Sequence, residues 1–186
     1  MPLRPLIEAR YVRPDSVDDY SVTSPSTDDY NCIAWAAGRD DVWAWPGEER
    51  YHWWPPDLAR NPTLAGLADW FRSLGYEPTD SLDFEEGYER VVLYSLADGT
   101  PTHAARQTGP GAWTSKIGQA EDISHRSAHV LEVDSGYGRV KVVLRRPVTA
   151  GYGSNLQRSA TSPPLTPTRV KWLNSSVPLG MTFTDT

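Results

Sequence analysis

One thiol and four imidazoles are the groups in this sequence best suited to covalent chemistry. The thiol is Cys32, the single cysteine among 186 residues. It lies in the stretch Asp28-Asp29-Tyr30-Asn31-Cys32-Ile33-Ala34-Trp35-Ala36-Ala37-Gly38. Asp28 or Asp29 can cap free backbone N–H groups, Ile33 to Ala37 are apolar and mostly good helix formers, and Gly38 is a natural stop. A short helix is therefore predicted from about Asp29 to Ala37. A thiol in the first turn of such a helix feels unpaired N–H groups and the positive end of the dipole, both of which favour thiolate. The competing reading is an inert, buried cysteine, which a lone cysteine supports about as well.

A thiol becomes a nucleophile when a base or an imidazolium sits beside it. The candidates are His52, His103, His125 and His129. His103 is the best placed, because it begins a predicted inner strand, follows Thr100-Pro101-Thr102, and is trailed by the small Ala104 and Ala105 that leave room for a helix end. The expected pair is Cys32 attacking a carbonyl carbon and His103 passing the proton to the leaving group, with the Cys32 backbone N–H meeting the oxyanion. A third group should orient His103. Glu121 and Asp122 have suitable acceptor chemistry if the chain curls back, Asp122 being preferred, and His125 and Asn31 are alternatives. Tryptophans crowd the region just after the cysteine: five of the eight fall between Trp35 and Trp54. Pro46, Pro55 and Pro56 make this an ordered loop rather than a helix or central strand. Such indoles either line a cleft or fill the core. The expected substrate-binding residues are Asn31, Trp35, Trp53, Trp54 and Arg106, with Arg106 or Lys116 holding a carboxylate beside the site.

These groups need a scaffold, and the rest of the chain predicts one. Residues 1–27 are polar and broken by Pro14 and Pro25, and read as an extended arm anchored by Val12, Val17, Tyr20 and Val22. Asn61 as N-cap, Pro62 at N1, apolar Leu64, Leu67, Ala68, Phe71 and Leu74, and a closing Gly75 predict a second helix with a structural role. Strands are predicted over 90–96, 102–107, 112–117 and 138–145, the last with Val140, Val142 and Leu144 on one face, and the turns at 97–100 and 108–111 make the first three an antiparallel meander. Residues 118–133 read as a link carrying Glu121, Asp122 and His125. From 148 the composition shifts to Ser, Thr, Pro and Gly, and a tail is expected to 186. The expected fold class is α+β: a cysteine-bearing helix and a second helix packed on an antiparallel sheet of about four strands, spanning 28–147.

A cysteine at a helix start followed by a histidine on an inner antiparallel strand resembles the papain-like clan, especially bacterial cell-wall cysteine endopeptidases of the NlpC type. Tyr30-Asn31-Cys32-Ile33-Ala34-Trp35 stands where those enzymes carry Asp-Cys-Ser-Gly, and it departs from that motif at nearly every position. The chain also resembles an uncharacterised bacterial domain family carrying Asn31-Cys32-Ile33-Ala34-Trp35-Ala36, Trp53-Trp54-Pro55, Thr102-His103-Ala104-Ala105-Arg106-Gln107 and Trp113-Thr114-Ser115-Lys116-Ile117-Gly118. The papain-like resemblance implies a papain-like fold and an amide as substrate: a peptide or protein, including a cell-wall peptide, or a glutamine side chain.

Composition narrows the remaining classes. The net charge of −6 is spread along the chain, so no basic stripe suits a phosphate backbone and nucleic acid is not an expected partner. No apolar run approaches a membrane span, and Met1-Pro2-Leu3-Arg4-Pro5 lacks the apolar stretch of a signal peptide, so a cytoplasmic protein is expected. No CxxC, HxxxH or nucleotide-loop spacing is present, so no cofactor and no metal is expected, and a zinc site on Cys32 is a minor reading. Two functions compete: a Cys-His hydrolase or acyltransferase, and a non-catalytic binding module that uses the tryptophan loop while the thiol is incidental.

Overall fold

A computed structural model describes residues 8–47 and 52–148. The first seven residues of the predicted arm, and the predicted tail from 149 onward, lie outside the described residues.

The cysteine helix, α1, spans Cys32–Ala36, shorter than the predicted stretch. Its cap is Asn31 rather than either aspartate, because the Asn31 side-chain oxygen accepts from the Ala34 N–H at 3.1 Å. Gly38 follows with φ of 82°, the left-handed stop expected of it. Helix α2 spans Leu64–Ser73 and buries Leu67, Ala68, Trp70 and Phe71. It begins two residues later than the Asn61–Pro62 signal, since Thr63 Oγ1 accepts from the Gly66 N–H at 3.2 Å and closes the first turn.

Both helices lie against one antiparallel sheet of seven strands, not about four, in the order β1-β6-β5-β4-β3-β7-β2. The strands are β1 Tyr20–Val22, β2 Glu77–Pro78, β3 Tyr88–Ser95, β4 Pro101–Gly109, β5 Ala112–Lys116, β6 Asp122–His125 and β7 Arg139–Pro147. The β3-β4-β5 meander is as predicted. The additions are short: β1 lies inside the arm, β2 has two residues, and β6 lies in the segment read as a link. The architecture is thus α+β.

Side chains alternate between two faces. On one face Leu93, Ala104 and Leu144 pack with Cys32, Ile33, Leu67, Phe71 and Trp54. On the other Val92, Tyr94, Ala105, Trp113 and Ile123 pack with Val12, Val130, Leu131 and Tyr137. The arm closes this second face, its Arg13 N–H donating to Val130 O at 2.9 Å. Val22 is not one of its anchors; it is 46% exposed at the sheet edge. The predicted common face of Val140, Val142 and Leu144 is also broken. The register of β7 against β3 slips between Leu93 and Tyr94, so Val142 packs with the helices and Val140 with the opposite cluster.

Gly138 feeds β7 and fixes Tyr137 against the second face. Its φ is +75°, and a Cβ there would lie 2.0 Å from Ser95 O. Replacing Gly138 by Ala should lower the urea unfolding free energy by about 2 kcal/mol or more, since backbone must move and strain is added.

Candidate functional site

Asn31 fixes the position of α1. Besides capping the helix, its side-chain oxygen accepts from the Ala44 N–H at 3.2 Å and its Nδ2 donates to Ala44 O at 2.7 Å. The tryptophan loop is thereby tied to the helix start, and the loop closes on itself through Trp45 N–H to Trp53 O and Trp53 N–H to Trp43 O. The amide expected to bind substrate instead holds the fold. Trp54 is likewise core rather than surface: its ring lies 5.1 Å from that of Trp70 and its Nε1 donates to Ala59 O. Trp35 and Trp53 are half-buried and present ring surface. Arg39 lies over Trp53 at 4.2 Å.

Cys32 is only 8% exposed, packed with the helix-side cluster. Burial pushes its thiol up to about 11, while the backbone amides of Ala104, Ile33 and Cys32 and the Lys116 ammonium act in the opposite direction without overcoming it. His103 is fully buried opposite Tyr94 in the register, stacked on Tyr137 at 3.9 Å, and belongs to the second face. Neither of its ring nitrogens has a hydrogen-bond partner. Cys32 and His103 are therefore not hydrogen-bonded. Burial holds the imidazole well below its ordinary pKa, with His125 adding to the effect.

Asp122 does not orient His103. Its Oδ2 accepts from Tyr30 OH at 2.6 Å on the helix side of the sheet, and its Oδ1 has no partner. Lys116 shares this buried cluster, with Nζ 5.1 Å from the Tyr30 ring and donating to Ala120 O. Burial lowers its pKa, against the pull of Asp122 and Glu121. His125 makes a separate pair on the second face. Its Nδ1 is 2.8 Å from Ser127 O, which can only accept, so Nε2 carries the lone pair and Ser115 Oγ donates to it at 3.0 Å. Burial takes its pKa down to about 4, against the Ser127 carbonyl, which favours the charged ring.

The helix-side face also carries a polar row that sequence reasoning missed. Arg106 pairs with Thr114, Thr114 with Ser124, and Ser124 with Ser21, so their side chains project from the same face of four adjacent strands. Trp35 lies over one end of this row, its Nε1 donating to Thr114 Oγ1 at 3.1 Å and its ring 5.6 Å from the Arg106 guanidinium. The only sequence signal was the polar-apolar alternation of Asp122-Ile123-Ser124-His125 and Tyr20-Ser21-Val22, too short to register.

Among the described residues no three His, Cys, Asp or Glu side chains converge as metal ligands, and no helix is long and apolar enough to cross a membrane.

His103 and His125 are both held neutral in the fold, with folded pKa values below the ordinary 6.5. Between pH 6.5 and about 4 the unfolded chain binds protons that folded His125 does not, so stability falls as pH falls through that window. Each histidine should contribute a slope approaching about 1.4 kcal/mol per pH unit. Urea titrations of the wild type and of His125→Gln across this range should show the shallower dependence in the variant.

Neither a curated protein nor a solved structure matches the chain. Residues 21–145, from β1 into β7, match a family described as Domain of unknown function (DUF7689), and the chain belongs to that family.

Proposed function

We propose that this domain is a non-catalytic binding module whose ligand surface is the half-buried indole layer beside α1, with the thiol as part of the core. The observation that carries this reading is the contrast on the helix side of the sheet. The thiol is desolvated and protonated at neutral pH, whereas Trp35 and Trp53 are half-buried and each has a guanidinium against it, that of Arg39 also paired with Asp41. Buried thiols are inert, while half-open indoles flanked by cations suit recognition of a flat or polar ligand.

A second reading has one observation in its favour. His103 has both ring nitrogens unpartnered, and the next residue, Ala104, presents its amide to the Cys32 thiol. A side-chain movement that joined the two would create the dyad of a papain-like Cys-His hydrolase or acyltransferase acting on an amide.

One experiment separates them: the rate of iodoacetamide alkylation of Cys32 from pH 4 to 11, for the wild type and His103→Ala. The binding reading predicts slow reaction under native conditions, still rising at pH 10 and equal in both proteins. It also predicts fast reaction only in denaturant. A wild-type midpoint well below the free-thiol value of about 8.5, raised by His103→Ala, would replace it with the hydrolase.

A further inference from the structure

Arg106 is 5% exposed, yet it makes no ion pair and donates no hydrogen bond to any described residue. Its Nε is completely buried without an acceptor. Its two terminal nitrogens are also unpartnered but retain contact with the surface. Glu89, on the adjacent strand β3, is engaged through Oε1 by Arg146 and by Tyr76 OH. The protein has thus placed a permanent charge beneath an indole and left its donor fork unfilled. A guanidinium held this far from water with no acid beside it is incompletely satisfied, and a ligand anion would complete its hydrogen bonding.

The row described above extends from this cation. Thr114, Ser124 and Ser21 follow Arg106 across successive strands, with Ser21 Oγ and Ser124 Oγ 2.8 Å apart. At about 4.8 Å per strand the row spans about 14 Å, the length of one or two sugar rings. Thr114 Oγ1 accepts from Trp35, which leaves its hydroxyl proton to donate elsewhere. Hydroxyls both donate and accept, which matches ligand hydroxyls. Trp35 flanks the Arg106 end, its ring also stacked on that of Tyr30 with 5.6 Å between centroids, and so adds apolar area beside the fork.

We propose that Arg106, Trp35, Thr114, Ser124 and Ser21 form a site for a sugar acid, with the carboxylate on the Arg106 fork and the hydroxylated ring along the row. The inference rests on the binding-module reading and names its ligand class. The fork takes a carboxylate through two parallel N–H···O bonds, a geometry that lysine cannot reproduce.

The test is calorimetric titration of the full chain with D-glucuronate, D-glucose and acetate, repeated for Arg106→Gln, Arg106→Lys and Thr114→Val, with circular dichroism confirming each fold. Glucuronate should bind saturably, glucose and acetate each at least about tenfold more weakly, because each lacks one of the two contacts. Arg106→Gln should lose at least about tenfold and Arg106→Lys an intermediate amount, with a smaller loss in Thr114→Val. No saturable binding of glucuronate, or equal binding by folded Arg106→Gln, overturns the proposal. Equal binding of acetate and glucuronate removes the sugar from it. Glucose binding that Arg106→Gln leaves unchanged overturns the sugar-acid site while leaving the indole-surface reading intact; that reading falls only if alkylation reveals an activated thiol.

Discussion

The three hydrogen bonds of the Asn31 side chain are the constraint from which the arrangement of this domain follows. They cap α1 and fasten the tryptophan loop to it, so the helix cannot roll or slide on the sheet. With α1 pinned over β4 and β5, Trp35 comes down beside Thr114 and Arg106, and Cys32 is driven into the apolar cluster with Ile33, Leu93 and Ala104. One side chain thereby decides which functional group faces water and which is sealed. The indole stays half-open and the thiol does not.

Electrostatics follows the same division. A helix of five residues offers little field to a thiol at its start, and desolvation outweighs the amides and the Lys116 charge that act the other way. On the far face, His103 and His125 are kept neutral among aromatic and aliphatic side chains. Charge on the helix side is held instead by Lys116 and Asp122 under Tyr30, and by Arg106. Lys116 and Asp122 have protein partners. Among the described residues Arg106 has no ion pair and no hydrogen bond, and lies over the π face of Trp35. That lack of a protein partner is the basis of the ligand site proposed for Arg106.

The strong periodicities were legible in the sequence. The meander β3-β4-β5, helix α2 with its glycine stop, and the cysteine helix all came from apolar spacing and turn residues. The short edge elements did not, because two to four residues give no measurable period and their strand state comes from pairing partners distant in sequence. Missing β6 had a direct consequence. As part of a polar link Asp122 could curl back toward His103, whereas its place opposite Lys116 on β6 turns it toward Tyr30. The sequence also made Cys32 and His103 neighbours in principle, since helix start and inner strand do pack together. What it could not reveal was the face: pairing of His103 with Tyr94 sends the imidazole to the side opposite the helix. Residue type alone suggests binding roles for Arg106, Trp35, Asn31 and Trp54 alike, whereas Asn31 caps a helix and Trp54 packs in the core.

The most direct test of this account is the unfolding free energy of Arg106→Met, measured in urea without ligand. If the guanidinium is buried without a counter-charge, replacing it by an apolar side chain of similar length should leave stability unchanged or raise it by about 1 kcal/mol or more. A loss of about 3 kcal/mol or more would mean that Arg106 compensates a buried partner within the protein, and would contradict the claim that its fork is kept open for a ligand.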